Sequence, residues 1–332
     1  MTETMNALYG QIGGQFSIGR AEIPAPANGQ VRVRVKAAAF NHVDQMLLRG
    51  VYDNLPDGPD GPAPYIAGVE FAGEIDAADP TVDGVQIGDR VVGMTPGAFA
   101  EYVTLDARNV VRVPEAIEWT DAASVFIALS ISHDALANRG HLKPGASVLI
   151  TGGTTGIGSM AIQVAKMLGA ARVLTTTRTS DKKRDLHRLG ADTVIATDED
   201  DLTRSVLEAT DGQGVDLAID TLGGPIFSAM IPATRVGGTI VTLGAIAGTE
   251  SSLNLSELAV RLITVVGSAF DSRPSEDRSA IIGSIADLFP HVLDGTVRPV
   301  VDSVHRFPEQ ASEAVARLSS PGTIGKIILE MS

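Results

Sequence analysis

The segment Thr151-Gly152-Gly153-Thr154-Thr155-Gly156-Ile157-Gly158 constrains this chain more than any other. It follows an apolar run, Ala146 to Ile150, that reads as a buried strand. It opens an amphipathic stretch, Ser159 to Leu168, that reads as a helix. Strand, glycine-rich turn and helix are how an α/β sheet holds a dinucleotide. The glycines let the backbone approach a pyrophosphate, and the helix N-terminus offers free N–H groups and a positive dipole end. A glycine cluster alone also serves as a plain tight turn; the flanking strand and helix favour the nucleotide. Thr154, Thr155, Gly156, Ile157 and Gly158 are therefore candidate cofactor contacts.

The residues around the loop organise into two textures. Residues 1 to about 118 look β-rich: Val31, Val33 and Val35 alternate with Arg32, Arg34 and Lys36, the pattern of a half-exposed strand. Further strands are expected at Val69–Ile75, Arg90–Gly93, Phe99–Leu105 and Val110–Val113, separated by Asp83-Gly84, Gly88-Asp89 and Pro96-Gly97 turns. Asp53 to Pro64 reads as a surface loop. From Trp119 the texture changes, with Thr120 a candidate N-cap for a helix over Asp121–Ala137. Strands near 147–151, 172–176, 193–196, 215–220, 239–244 and 262–267 then alternate with helices, which predicts a doubly wound, parallel, six-stranded Rossmann sheet. A helix around 279–293, a strand around 300–304, a helix over 308–318 and a strand over 326–330 follow. The expected division is 120–268 for the dinucleotide-binding domain, with 1–119 and 269–332 forming a discontinuous β-rich catalytic domain.

Composition narrows the function. The net charge of −14 repels phosphate backbones and anionic lipid, which argues against nucleic-acid and membrane partners. The chain contains no cysteine, so disulfides, a thiolate nucleophile and cysteine metal sites are excluded. No secretory signal and no apolar run near the ~18 residues of a membrane span are visible, and a reducing, cytoplasmic setting is the expectation. His42, His133, His141, His187, His291 and His305 show no metal-ligand spacing.

The choice of nucleotide turns on the end of the second strand, where an acidic residue binds the ribose 2′-OH of NAD. That region reads Thr175-Thr176-Thr177-Arg178-Thr179-Ser180-Asp181-Lys182-Lys183-Arg184. Neutral Thr177 followed by Arg178, with Lys182 nearby, suits the 2′-phosphate of NADPH through charge-assisted hydrogen bonds. The plainer alternative makes Lys182, Lys183 and Arg184 the solvated face of a helix. Other strand ends offer Asp220-Thr221-Leu222-Gly223-Gly224, then Gly244 and Ala245, then Ser268 and Phe270. These are candidates for holding the nicotinamide, or ordinary turns.

The glycine loop is similar to the TGxxxGIG motif of short-chain dehydrogenases. Those enzymes need a Tyr-x-x-x-Lys pair downstream, and the four tyrosines here, Tyr9, Tyr52, Tyr65 and Tyr102, all lie upstream. The chain instead resembles the medium-chain dehydrogenase/reductase superfamily in its zinc-free quinone oxidoreductase branch. The matching pieces run in family order. They are Asn41-His42-Val43-Asp44, Arg49-Gly50-Val51-Tyr52, Gly68-Val69-Glu70-Phe71-Ala72-Gly73, Gly88-Asp89-Arg90-Val91, Leu142-Lys143-Pro144-Gly145, the glycine loop, Leu189-Gly190-Ala191-Asp192 and Gly325-Lys326-Ile327-Ile328-Leu329. The resemblance implies a GroES-like β-rich domain beside the Rossmann domain. Zinc alcohol dehydrogenases carry Gly-His-Glu where this chain has Gly68-Val69-Glu70, and valine cannot ligate metal.

What the resemblance implies is hydride transfer from NADPH to a quinone or an α,β-unsaturated carbonyl, acceptors that need no Lewis acid. Tyr52 is the candidate for binding the substrate carbonyl or donating the proton; packing and a solvent proton are the alternatives. Asn41 and Asp44 resemble residues that shape the nicotinamide and substrate pocket, although Asp44 equally suits a turn anchor. Ile131 replaces a family threonine near the nicotinamide, a loss for which Ser130 or Ser132 compensates in this reading, and Thr197 replaces a family tyrosine. A ketone reductase of the same fold and a weakly catalytic NADPH-binding protein are the competing readings. Strand 262–267, Leu-Ile-Thr-Val-Val-Gly, carries no charge or proline and is expected at the sheet edge, where pairing with a second copy makes a homodimer; the alternative is that the segment after Asp271 folds back over the edge and leaves a monomer.

Overall fold

The structure is a computed structural model that describes residues 3–50, 57–58, 61–270 and 272–331. It divides into two compact units. One comprises Met1–Ile127, Ile282–Leu293 and Pro299–Ser332; the other Ala128–Ile281 and Asp294–Arg298. The first division lies at 127/128, where 119/120 was expected, because Trp119 starts a helix, Trp119–His133, that runs on through the boundary. The return falls at 282, where 269 was expected; Arg273 forms a 2.6 Å ion pair with Asp134 within the second unit. Thr120 is not the N-cap, since the helix already includes Trp119. Its far end widens, where a plain α-helix to Ala137 was expected: Asp134–Arg139 is π-helical, and Gly140 N–H donates to the Ala135 carbonyl at 2.8 Å.

The second unit holds a six-stranded, all-parallel sheet in the order Thr193–Ala196, Arg172–Thr177, Ser147–Ile150, Val215–Asp220, Thr234–Thr242, Thr264–Gly267. The chain order reverses beside Ser147–Ile150, and ligands of such sheets bind outside the strand carboxyl ends at this switch point. Leu149, Leu174, Ile195, Ala218 and Ile240 pack against Leu202, Val206, Met230 and Ile231 to form its core. Two strands differ from expectation. Thr234–Thr242 begins five residues before 239, with a register shift between Val215 and Leu217. Thr264–Gly267 begins after 262, because Leu262 adopts a positive φ of 54°.

The first unit is built on the sheet Val110–Arg112, Arg90–Met94, Glu70–Ala78, Gln30–Ala39, Lys326–Met331, Val301–Phe307, with Tyr102–Asp106 also paired to Gln30–Ala39. Val31, Val33 and Val35 point into a core with Phe71, Ile75, Val103 and Leu105, as their alternation predicts. The last strand runs antiparallel to Gln30–Ala39, with Ile328 opposite Ala39. That pairing carries Lys326 into the interior. No helix among the described residues is long and apolar enough to cross a membrane.

Candidate active site

The cradle for a dinucleotide lies in the second unit. Strand Ser147–Ile150 is buried, and the loop after it is held from both neighbouring strands. Gly152 N–H donates to Thr176 Oγ1 at 2.9 Å and Gly153 N–H to the Thr176 carbonyl at 2.8 Å; Thr221 N–H donates to Thr151 Oγ1 at 2.9 Å. Thr155 caps helix Gly156–Met167, its hydroxyl oxygen accepting from Gly158 N–H at 2.9 Å. A Cβ on Gly158 would collide with the Gly152 carbonyl, so the helix seats against the loop only with glycine there. The N–H groups of Thr154, Gly156 and Ile157 have no acceptor among the described residues. Unspent donors at the start of a three-turn helix, beside the topological switch point, fit a pyrophosphate.

The other strand ends are organised around Asp220. It is fully buried, and its carboxylate accepts from Gly223 N–H at 2.9 Å, Leu222 N–H at 3.1 Å and Thr242 Oγ1 at 3.0 Å. Gly244 must be glycine, because a Cβ would meet the Thr221 carbonyl at 2.6 Å; Ala245 follows it, half-buried. Ser268 is buried, with its N–H on the Thr242 carbonyl at 2.9 Å and its hydroxyl oxygen accepting from Arg273 at 2.8 Å; Phe270 is half-buried. Ser130 is buried, and Ser132 donates to the Ile157 carbonyl at 3.2 Å, which ties helix Trp119–His133 to the first turn of the cradle helix.

The candidates for the 2′-phosphate differ from one another. Thr177 is buried at its strand end and its carbonyl accepts from Thr197 N–H at 2.9 Å. Arg178 is exposed, and its guanidinium meets no carboxylate among the described residues. Lys182 lies 3.4 Å from Asp181, and Lys183 is committed to Asp200 at 3.1 Å.

The first unit contains a buried charged cluster that sequence reasoning saw only in part. Asn41 precedes a short helix, His42–Leu48, and Asp44 reaches back to accept from Asn41 N–H at 2.7 Å. Asn41 Nδ2 donates to the Ala39 carbonyl at 3.1 Å and to Glu70 Oε2 at 3.0 Å. Lys326 Nζ donates to Asn41 Oδ1 and, at 2.7 Å, to Glu70 Oε2. Glu70 Oε1 accepts from Ile127 N–H at 2.5 Å. Asn41 therefore has both amide protons and its oxygen engaged inside the protein. Those bonds tie it to the Ala39 carbonyl, to Glu70 and to Lys326. Asp44 is 1% exposed, and burial pushes its carboxyl up to about 7, the Asn41 amide and the Lys326 charge offsetting only part of that effect. Glu70 and Lys326 were the residues missed. Their motifs are visible in sequence, but no local pattern says that residues 256 positions apart form a pair. Tyr52 lies outside the described residues.

These residues do not fit a metal ion. Val69 offers no ligand, Asn41 and Glu70 are closed over by Lys326, and no group of three or more His, Cys, Asp or Glu among the described residues could hold one.

A parallel sheet with an open dinucleotide cradle, joined to a β-rich unit with a buried acid, defines a class of nicotinamide-dependent oxidoreductase. Comparison with known proteins narrows the class. Residues 27–115 match the family model of the alcohol dehydrogenase GroES-like domain, and residues 156–286 that of zinc-binding dehydrogenases. A probable quinone oxidoreductase of Schizosaccharomyces pombe is 30% identical over 315 residues, covering 93% of this chain and 91% of that protein. A phenolphthiocerol/phthiocerol polyketide synthase component of Mycobacterium tuberculosis is 33% identical over 311 residues; the match covers 92% of this chain but 14% of that much longer protein. The quinone oxidoreductase of Pseudomonas syringae pv. Tomato superposes with a TM-score of 0.85 at 27% identity, covering 98% of this chain and 99% of that one. The chain belongs to the medium-chain dehydrogenase/reductase superfamily, in its quinone oxidoreductase-like branch. It is accordingly an oxidoreductase of a family that binds a nicotinamide cofactor.

Proposed function

We propose that this chain is an NADPH-dependent, zinc-independent reductase of quinones or α,β-unsaturated carbonyls. The observation that carries the reading is the Lys326–Glu70–Asn41 closure: the cluster supplies a buried cation and a buried acid where metal ligation would need open side chains. A carbonyl whose electrons can be drawn away by conjugation suits such a site. The cofactor supplies the hydride. Tyr52 keeps, by resemblance alone, the role of binding the acceptor oxygen. The relatives that bear the name quinone oxidoreductase support the quinone arm. Loss of reduced-nicotinamide absorbance with a panel of quinones, enones and saturated ketones, after exhaustive chelation, tests it. Turnover of quinones or enones is expected; activity that chelation abolishes and zinc restores would overturn the reading.

The preference for NADPH rests on Arg178, an exposed guanidinium just past strand Arg172–Thr177. Arg178→Ala is expected to weaken NADPH binding about 10- to 100-fold, the equivalent of about 1.5–3 kcal/mol for a charge-assisted bond, and to leave NADH binding unchanged. Fluorescence titration with both cofactors checks it, and equal losses would assign Arg178 to structure.

We infer further that the protein is a homodimer. Strand Thr264–Gly267 is the edge of its sheet, and Leu255, Val260 and Leu262 beside it are 69%, 76% and 69% exposed. An unpaired edge flanked by exposed apolar side chains invites a second copy across a two-fold axis. Sedimentation at low micromolar protein is expected to give a dominant species of twice the 34.5 kDa chain mass. Val265→Lys should shift it to the monomer, and a wild-type monomer would refute the dimer.

A further inference from the structure

In a doubly wound sheet of this strand order each three-stranded half takes one mononucleotide, and the adenosine ribose belongs at the end of the second strand, here Arg172–Thr177. The ends of Val215–Asp220, Thr234–Thr242 and Thr264–Gly267 are then left for the nicotinamide half. A closed circuit of hydrogen bonds, all within the second unit, passes through those ends. The Ser132 hydroxyl donates to the Ile157 carbonyl at 3.2 Å, joining helix Trp119–His133 to the first turn of Gly156–Met167. Just past the end of helix Trp119–His133, Asp134 Oδ2 accepts from Arg273 Nη2 at 2.6 Å. The same nitrogen donates to Ser268 Oγ at 2.8 Å. Ser268 N–H donates to the Thr242 carbonyl at 2.9 Å, and Thr242 Oγ1 to Asp220 Oδ2 at 3.0 Å. Thr221 N–H donates to Thr151 Oγ1 at 2.9 Å, and the glycine loop leads from Thr151 back to Ile157.

The link that closes this circuit is a buried ion pair. The Arg273 and Asp134 side chains are 9% and 5% exposed. Asp134 Oδ1 accepts from Asn138 Nδ2 at 3.1 Å, so both carboxylate oxygens are engaged, whereas Arg273 Nε is buried with no partner. A buried pair that leaves a donor unpaired is a poor stabiliser, and apolar side chains of similar volume would serve packing as well. What apolar side chains cannot do is fix a direction. The pair sets Ser268, and the turn closed by Arg273 N–H on the Phe270 carbonyl at 3.2 Å, against the end of the helix. The π turn Asp134–Arg139 starts at the same aspartate; such turns are uncommon and recur at functional sites. We propose that the Asp134–Arg273 pair positions the nicotinamide half of the cofactor. Acting through Ser268, it holds the segment from Ser268 to Arg273 in place before binding, so that this segment need not be ordered when the dinucleotide arrives. The proposal rests on the dinucleotide reading of the cradle, and the NADPH preference enters only through the choice of probe.

The test compares NADPH with 2′-phospho-ADP-ribose, which keeps the adenosine half and the pyrophosphate and lacks the nicotinamide ring. Binding of both is measured by titration calorimetry. The double variant Asp134→Leu/Arg273→Met replaces the pair with apolar side chains and leaves no buried charge alone, so its urea midpoint should match or exceed that of the wild type. It should bind 2′-phospho-ADP-ribose within about twofold of wild type and NADPH at least about tenfold more weakly. Arg273→Lys keeps a cation opposite Asp134 and should lose less NADPH affinity than the double variant. Ser268→Ala leaves the ion pair intact and removes the hydroxyl that it holds. It should show the same split between the two ligands at a smaller size, about two- to tenfold for NADPH, and it serves as the test should the double variant not fold. A double variant or a Ser268→Ala protein with wild-type NADPH affinity would overturn the proposal. So would equal losses for the two ligands, which would assign the pair to the fold alone. A wild-type protein that binds NADPH more tightly than the fragment but reduces no quinone or enone would instead overturn the reductase reading and leave the role of the pair in place.

Discussion

Replacing Gly158 with alanine should all but eliminate binding of the nicotinamide cofactor. The added Cβ would overlap the Gly152 carbonyl oxygen, approach the Gly152 carbonyl carbon at 2.8 Å, and lie 3.0 Å from Gly153 Cα. All three are backbone atoms, so no flexible side chain can swing aside. The loop cannot retreat, because Gly152 and Gly153 are hydrogen-bonded to Thr176 and a Cβ at Gly152 would itself meet Thr221 Oγ1 at 2.7 Å. The helix must lift, which moves the Gly156 and Ile157 N–H groups from the site they define together with Thr154. We expect cofactor affinity to fall at least ~100-fold, and the unit to lose roughly 3 kcal/mol, at the upper end for overpacking. Gly283→Ala is the control: nothing lies within 4 Å of its Cβ position and its φ is not positive, so stability should be unchanged or slightly raised. Fluorescence titration and urea denaturation measure both quantities. A Gly158→Ala protein with wild-type affinity would show that the loop is not the cofactor cradle.

The parts legible in sequence are those whose information is local. Strands at 147, 172, 193 and 215 announce themselves because a parallel strand covered on both faces is an apolar run bounded by turns, as Ser147–Ile150 and Val215–Asp220 are. The glycines are legible because close backbone approach excludes every other residue. Strands Thr4–Gly10 and Ser17–Glu22 were missed; Asn6, Tyr9 and Arg20 interrupt any apolar run, and the second strand is largely exposed. Helix His42–Leu48 was also missed, although Asn41-x-x-Asp44 carries the spacing of a capping interaction. That spacing alone would have shown Asp44 reaching back to the backbone of Asn41. The pairing of Glu70 with Lys326, and of Asp134 with Arg273, had no local signal. Each depends on distant elements meeting, and only the register of the last strand against Gln30–Ala39 decides the first.

Lys326→Met should be among the most destabilising single changes in the β-rich unit. It removes the ammonium and leaves Glu70 at 0% exposure with Asp44 at 1%, two acids with no cation between them. Breaking one partner of a buried pair costs about 3–5 kcal/mol, because the remaining charge stays desolvated. The pH dependence has a definite sign. The Asp44 carboxyl is raised in the folded protein to about 7 from an ordinary 3.8, so its contribution to stability is complete below about pH 4 and is lost as pH rises toward 7. In wild-type protein the loss ends there. Lys326 holds the Asp44 carboxyl down, so without it the carboxyl moves higher still and the loss continues into the alkaline range. The deficit of the variant against wild type should therefore widen between pH 6 and 9. Adding Glu70→Gln removes the orphaned carboxylate while keeping an acceptor for Ile127 N–H, and should recover most of the loss. Urea denaturation of the wild type, the single and the double variants across that range measures all of this. A single variant within about 1 kcal/mol of wild type at pH 8 would show that Lys326 is not the counter-ion that holds this interior together.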